Sequence, residues 1–426
     1  MLAIAFIIFF ILLVLGVPIA FSMGLGSVIA IFNTGTINPV LVGHKLFSGV
    51  DSFSMMAIPF FMLSGELMES GGISKRIVDF AQSLVGHITG GLGLVDVLTS
   101  TIFAGISGSA AADTAAVGSM MIGPMKKRGY PAGLAAVIQA SAGSLGPIIP
   151  PSLTMIIYCS LTNTSIGEVF MAGVIPGILI GLSLMFITYL YAKKYRIRSE
   201  RRASFKEILH ALKKASLALI MPLIIIGGIV GGVFTATEAG AVACVYAFIV
   251  GWLVYKGFKL KDIPRIVLNA ASMTGMSLLI VAAASIFSWL VAYAKLPQMV
   301  ISFLTSITRN PQMIMILLVL FLLFVGMFIE TLSATIIVAP ILFPVIAQYG
   351  INPIQFALVM IVVLVYAGVT PPVGGVLFIT MGISKCKLKD TLPYLLPYLG
   401  AVLAVVLLCI FIPQISTALP GLIFSK

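Results

Sequence analysis

Charge is what this chain of 426 residues has least of. Only 9% of its residues are Asp, Glu, Lys or Arg, against about 25% in an ordinary soluble domain. With 60% apolar residues, no stretch can fold as a water-soluble domain. The apolar runs are continuous rather than alternating, which excludes a β-barrel. Histidines number three, and the four cysteines are Cys159, Cys244, Cys386 and Cys409. Their spacing fits neither a metal site nor a disulfide framework, so they are expected to be packing residues. Met1 to Leu15 has no basic n-region and no clear cleavage site. It reads as a retained first span rather than a signal peptide.

What remains is hydrocarbon-soluble helix. Mean hydropathy is +1.18, and apolar runs such as 216–234 and 268–294 are long enough to cross about 30 Å of hydrocarbon. An all-α polytopic membrane protein follows. The net charge of +12 could suggest nucleic acid, but its distribution does not. Lys193, Lys194, Arg196, Arg198, Arg201, Arg202, Lys206, Lys213 and Lys214 crowd one linker, 193–215. A cytoplasmic loop obeying the positive-inside rule accounts for them, with anionic membrane lipids as the partner and no nucleic acid.

The linker separates two halves, 1–192 and 216–426, that share their punctuation. Gly105, Gly129, Pro150, Pro151 and Pro176 recur as Gly326, Gly350, Pro371, Pro372 and Pro397, each 326 − 105 = 221 residues later. Gly and Pro act on the backbone, so a repeat in them is a repeat in chain path. Each half is expected to carry a re-entrant hairpin (92–125 and 311–347) and a broken helix (132–158, interrupted at Gly143–Ser152, and 354–384, interrupted at Gly368–Gly375). Amphipathic helices along the membrane surface precede the hairpins, with Lys75, Arg76, Ile77, Phe80 and Leu84 in one half and Val300, Phe303, Leu304 and Ile307 in the other. Spans near 2–15, 17–32 and 53–70 open the first half. Following the chain outward from the linker leaves only Lys45, Lys295, Arg309 and Lys426 outside, so 25 − 4 = 21 basic residues lie inside. The halves are then inverted repeats with both termini periplasmic. Transport folds of this kind bind substrate and ions between the repeats.

The tip of hairpin one is Gly105-Ile106-Ser107-Gly108-Ser109-Ala110, with Asp113 and Thr114 in the first turns that follow. Freed N–H groups at the start of the second half-helix suit an anion. Freed carbonyls at the end of the first draw a cation, and Ser107 and Ser109 add oxygens to either. A small-residue packing motif is the plainer alternative, but an S-G-S turn beside an intramembrane carboxylate favours a site. The break at 143–152 exposes the carbonyls of Gly146, Ile148 and Pro150, ligands a hard cation such as sodium prefers. Hairpin two offers Gly326 to Ser333, and its partner break Gly368 to Gly375. Thr331 and Thr370 stand where the first half used serines. Glu330 either faces a wet cavity or braces the hairpin. Neither tip nor break contains Lys or Arg, so an anionic substrate needs bound sodium, hydroxyls and helix N-termini as its countercharge. Two or more sodium ions and no organic cofactor are expected. Ser107, Gly108, Asp113, Thr114, Glu330, Thr331 and Ser333 are the substrate-binding candidates, with a carboxylate lying between Ser107 and Thr331.

Gly105-Ile106-Ser107-Gly108 also matches the G-x-S-G of intramembrane serine proteases. That chemistry needs a histidine base, and His44, His87 and His210 are expected in loops or at interfaces. Asp51, Glu66 and Glu238 near span ends are expected to cap helices or bond across the bundle.

At these motifs the chain resembles the large membrane subunit (the DctM-like or SiaM-like subunit) of tripartite ATP-independent periplasmic (TRAP) transporters. The matching stretches are Ile58–Phe61, Ser64–Met68, Gly71–Ile77, Leu84–His87, Ser107–Ala110 with Ala112–Ala115, Pro147–Ser152, Gly232–Ala239 and Thr370–Gly374. The resemblance implies sodium-coupled uptake of an organic acid, sialic acid or a C4-dicarboxylate, across the bacterial inner membrane. It implies an elevator fold in which 92–158 and 311–384 move against a scaffold of the remaining spans. It implies a small membrane subunit, expected as a separate chain, and a periplasmic binding protein. The family's cation positions carry over to Ser107, Ser109, Gly146, Ile148 and Pro150, and to Gly326, Thr331, Thr370 and Pro372. Many members have Asp-x-Thr-Pro-Thr in the second hairpin, where this chain has Glu330-Thr331-Leu332-Ser333-Ala334-Thr335. The competing readings are a self-sufficient sodium/divalent-anion symporter, a passive anion channel and an intramembrane hydrolase.

Overall fold

The computed structural model describes residues 1–35, 37–199 and 201–424. Every regular element among them is helical. The first half contains α1 (Leu2–Val14), α2 (Ile19–Phe32), α3 (Val40–Val50), α4 (Ala57–Ser70), α5 (Ile73–Val85), α6 (Gly91–Ser107), α7 (Ala110–Lys127), α8 (Ala132–Gly143), α9 (Leu153–Thr162) and α10 (Ile166–Lys194). The second contains α11 (Phe205–Val230), α12 (Ala236–Ile249), α13 (Ile263–Tyr293), α14 (Leu296–Ile307), α15 (Pro311–Gly326), α16 (Thr331–Gln348), α17 (Pro353–Ala367), α18 (Gly375–Ser384), α19 (Leu388–Phe411) and α20 (Gln414–Phe424). Six helices are long and apolar enough to cross a membrane, or up to eight if α3–α4 and α14–α15 each count as one bent span. The protein is therefore a multi-pass membrane protein.

Local chemistry sets where these helices start. Side chains of Ser109, Ser152, Ser165, Ser204, Thr235, Asn310 and Asn352 accept backbone N–H bonds at the first turns of α7, α9, α10, α11, α12, α15 and α17. Such caps satisfy donors that a helix start otherwise leaves bare, which matters more in lipid than in water. Asn310 and Asn352 are each followed by proline, whose missing N–H costs nothing at that position.

The repeated plan is present. Hairpin one is α6–α7 and hairpin two is α15–α16. The broken helices are α8–α9 and α17–α18, and a long span, α10 or α19, follows each. Pro150-Pro151 and Pro371-Pro372 are both cis. The halves interlock reciprocally: α7 packs on α18, and α16 packs on α9. At the centre lie α8 and α17, whose residues 133–143 and 355–367 are buried throughout. The Tyr366 hydroxyl of α17 donates to the Ser141 carbonyl of α8 at 2.9 Å. That carbonyl belongs to the last turn of α8, where chain partners run out, so the bond ties one break to the other. Lys126 closes α7 onto the end of α18 through the Ser384 carbonyl (2.6 Å), and the buried Tyr158 of α9 donates to the Pro353 carbonyl (3.3 Å).

Several expectations need correction. The linker is shorter than 193–215. A capping box of Ser204 and Glu207 starts α11 at Phe205, so Lys206, Lys213 and Lys214 lie on its first turns. His44 and His210 are on helices α3 and α11. Helices α3 and α20, 11 residues each, were not anticipated because each is too short to register as a span. The basic residue Lys426 lies outside the described residues. Helix α5 buries Ile73, Ile77 and Ala81 and exposes Lys75 and Asp79, as its amphipathic pattern requires. Helix α14 buries Leu304 but leaves Phe303 and Ile307 exposed, as suits a helix whose apolar face meets lipid.

Candidate functional site

Hairpin one turns within two residues. Ser107 ends α6, Gly108 takes a left-handed φ of 63°, and Ser109 is the extended N-cap of α7. Gly108 is obligatory twice over. Its φ disfavours a side chain, and a Cβ there would stand 2.6 Å from the Pro151 carbonyl oxygen. The Ser107 hydroxyl donates to the Asp113 carboxylate, in the first turn of α7. The other oxygen, Asp113 Oδ2, is buried without a hydrogen-bond partner, as is Thr114 Oγ1.

The break of α8–α9 closes over this turn. A Cβ on Gly146 would lie 2.7 Å from Asp113 Oδ2 and 3.0 Å from the Ser109 carbonyl oxygen. The glycine is what admits both groups. A Cβ on Gly105 would sit 3.5 Å from the Pro150 carbonyl oxygen, so that carbonyl also faces the hairpin. The structure thus gathers Ser107, Ser109, Asp113, Gly146 and Pro150. Ile148 stands apart: its carbonyl oxygen is 2.4 Å from where a Gly173 Cβ would be, so it faces α10. The Pro147 carbonyl is occupied by the Ser152 hydroxyl at 2.6 Å.

Hairpin two is built on the same frame with different chemistry. Glu330 is the N-cap of α16, and its Oε2 accepts the Ser333 N–H (3.2 Å) and the Ser333 hydroxyl (3.4 Å). The brace foreseen for Glu330 is therefore present, and the residue also lines a cavity. Ser109 and Glu330 are 330 − 109 = 221 residues apart, so the two N-caps are equivalent positions of the repeat. The Thr331 hydroxyl donates to the Leu364 carbonyl at 3.5 Å, and the Thr370 hydroxyl to Ala367 at 2.6 Å. Val373 N–H donates to the Met327 carbonyl at 3.2 Å, pinning break to tip. Gly326 is wedged where a Cβ would meet Ala367 Cβ at 2.6 Å. Pro372, on the exposed side of the break, takes no part in these contacts.

The two tips share one cavity of about 240 Å³. Gly108 to Ala111 and Ile329 to Leu332 form facing walls, with Pro147, Thr154, Gly368 and Val373 to Val376 from the broken helices and their flanks. Of the substrate candidates, Gly108, Glu330 and Thr331 are on the wall. Ser107 lies directly behind Gly108, while Asp113, Thr114 and Ser333 are buried behind the tips. No lining residue is Lys, Arg or His. Ser107 is bonded to a carboxylate rather than a histidine, and no group of three metal-binding side chains occurs among the described residues.

Sequence reading passed over a second buried carboxylate. Asp96 of α6 is fully buried. In the amide orientation its surroundings require, Gln139 of α8 donates to both its oxygens, at 2.5 and 3.0 Å. A lone Asp in an apolar helix marks itself only by its cost in lipid. Its partner, 43 residues away (139 − 96), shows in no local pattern.

Comparison with known proteins agrees with this architecture. The family model described as tripartite ATP-independent periplasmic transporter, DctM component, matches residues 6–415. The chain is 39% identical over 402 residues to the C4-dicarboxylate TRAP transporter large permease protein DctM of Pseudomonas aeruginosa, covering 94% of each. It is 38% identical over 411 residues to the sialic acid TRAP transporter large permease protein SiaM of Vibrio cholerae, covering 96% of each. It is likewise 38% identical over 401 residues to the 2,3-diketo-L-gulonate TRAP transporter large permease protein YiaN of Escherichia coli, covering 94% of each. Among solved structures, the Alcanivorax borkumensis YdaH transporter has a similar fold, with a TM-score of 0.65 over 88% of this chain and 89% of that one at 14% identity.

Proposed function

The chain belongs to the DctM family of tripartite ATP-independent periplasmic transporters, and on that premise we propose that it carries an organic carboxylate into the cell coupled to sodium. It is a large permease subunit and not an enzyme. One observation carries the coupling: both tips and both breaks meet around a cavity with no cationic side chain. A carboxylate there lacks any fixed countercharge, and leaving it unpaired in low dielectric is prohibitive. Sodium supplies the charge. The first ion sits among Ser107, Ser109, Gly146 and Pro150, with Asp113 as the adjoining anion. The second sits among Gly326, Thr331 and Thr370.

The substrate carboxylate then takes the N–H groups at the start of α7 and the Ser109 hydroxyl, facing Thr331 across the cavity. Because ion and anion stabilise each other, each raises the other's affinity by the same factor. Hairpins and broken helices move together as an elevator against the remaining spans, with 92–158 and 311–384 as the carried unit. Sialic acid and C4-dicarboxylates, substrates in the names of two relatives, mark the substrate class. A separate small membrane subunit and a periplasmic binding protein complete the system in the inner membrane. The basic segment between α10 and α11 faces the cytoplasm, and both termini face the periplasm.

The test is uptake by the reconstituted complex in vesicles. Accumulation is expected under an inward sodium gradient and not under a proton gradient alone. Equal uptake under both gradients, or only downhill flow, would remove the coupling.

A further inference from the structure

A second cavity, of about 290 Å³, lies away from the tips, between the end of α4 and the start of α13. Glu66, Asp262, Arg265 and Asn269 line it, over a floor of Phe258 and Ile266. Glu66 belongs to one of the family-like stretches, yet transport as proposed gives it no task. Asn269 donates to Glu66 Oε1 at 2.9 Å, which leaves Oε2 open. Asp262 Oδ2 accepts the Lys259 N–H at 2.9 Å. The Arg265 guanidinium is exposed and makes no ion pair among the described residues. The cavity therefore holds both signs of charge with bonding capacity to spare.

Its surroundings are amphiphilic along one axis. Arg265 and Asn269 share a face of α13 with Leu268, which is 66% exposed, and Val267 beside it is 45% exposed. Exposed aliphatic side chains on a spanning helix meet lipid. On the other side, Lys259 and Lys261 are exposed in the loop before α13. Mixed charge between an apolar face and a basic loop is the arrangement expected at headgroup depth. The elements beside the pocket are closely packed. Arg76 of α5 stacks on Tyr255 at 3.8 Å, and Gly257 abuts Gly71, where a Cβ would lie 2.4 Å from the Gly71 carbonyl. Gly65, next to Glu66, faces the hairpin tip, its Cβ position 3.7 Å from Ser107 Cα. An occupant would thus brace the helix against which hairpin one rests.

We propose that this cavity binds the headgroup of a zwitterionic phospholipid bearing a primary ammonium. The ammonium is held by Glu66 and Asp262, the phosphate by Arg265, and one acyl chain lies along Leu268 and Val267. Three N–H donors match the two carboxylates, which a quaternary ammonium cannot do.

The assay is native mass spectrometry of the purified complex after delipidation and exchange with phosphatidylethanolamine, phosphatidylcholine or phosphatidylglycerol. Phosphatidylethanolamine is expected to be retained best. Glu66→Gln and Arg265→Gln should each lower its retention about fivefold, the scale of one partly exposed charge contact. Soluble phosphoethanolamine should neither compete nor raise the melting temperature. Equal retention of the three lipids, or no change in either variant, overturns the proposal. Competition by phosphoethanolamine assigns the site to a soluble zwitterion instead. Retention by the isolated large subunit but not by the complex assigns it to the small subunit. None of these outcomes bears on sodium coupling.

Discussion

Replacing Asp113 by asparagine isolates the charge behind hairpin one. The side chain keeps its size, and an amide oxygen can still accept the Ser107 hydroxyl, so the turn should hold. What disappears is the carboxylate, the one group here able to carry negative charge, on a fully buried side chain whose Oδ2 has no protein partner and lies against Gly146. If sodium occupies this turn, the ion and the carboxylate are close neighbours. At a separation near 4 Å and an effective dielectric of about 20, their attraction is about 4 kcal/mol. The amide dipole and relaxation recover roughly half, which leaves about 2 kcal/mol, or close to thirtyfold in affinity. The measurement is the half-saturating sodium concentration for uptake in proteoliposomes, with substrate fixed, and separately for substrate-induced thermal stabilisation in detergent. Both should rise about thirtyfold, while the melting temperature without sodium stays level or rises, since a buried carboxyl with an unpartnered oxygen has been removed. A sodium dependence within twofold of the parent protein, in a folded variant, would show that no ion sits beside Asp113.

Three further outcomes are expected. Gly108→Ala should destabilise by at least about 1–2 kcal/mol from its left-handed backbone alone, before the clash with the Pro151 carbonyl. Thermal melts and uptake should both fall, whereas Gly123→Ala in α7, with nothing within 4 Å of the new methyl, should match the parent. Tyr366→Phe should cost about 1–2 kcal/mol because the buried Ser141 carbonyl loses its donor; a melt unchanged by this substitution would separate the two breaks energetically. Thr370→Ala, which deletes a hydroxyl at the second break, should raise the half-saturating sodium concentration about fivefold, and an unchanged titration would take Thr370 out of the ion site.

The parts of this fold legible in sequence are those written in backbone-specific residues. Gly105, Gly326 and the proline pairs 150–151 and 371–372 each act where they stand, so their 221-residue register locates both tips and both breaks. Helices α3 and α20 escaped because 11 residues fall short of a span, and only packing reveals what they support. The start of α11 escaped because Lys206, Lys213 and Lys214 read as loop, although the Ser204–Glu207 capping box was already in the sequence. Carbonyl direction was not legible at all. Gly146, Ile148 and Pro150 have the same claim from sequence, yet a two-residue rotation along the unwound chain turns Ile148 toward α10. Nor could sequence place Asp113 behind the turn rather than on the cavity wall, since that depends on how Gly146 closes over it.

The repeat is close in backbone and loose in chemistry, and the difference lies where charge is concerned. At the equivalent N-caps one half has Ser109 and the other Glu330. The first half keeps its carboxylate, Asp113, buried behind the tip. The second keeps its own on the cavity wall. If, as proposed, an anion binds between the tips, it meets hydroxyls and N–H groups on one side and a like charge on the other. Two such charges about 4 Å apart repel by about 4 kcal/mol at an effective dielectric near 20. That is more than the N–H groups at the start of α16 offer in return. In the transport reading proposed above, the substrate's carboxylate would accordingly be driven toward Ser109 and the start of α7, and its uncharged or donor-bearing end toward Glu330. A repeated backbone would so yield a site with a direction, through the residues at which its halves differ.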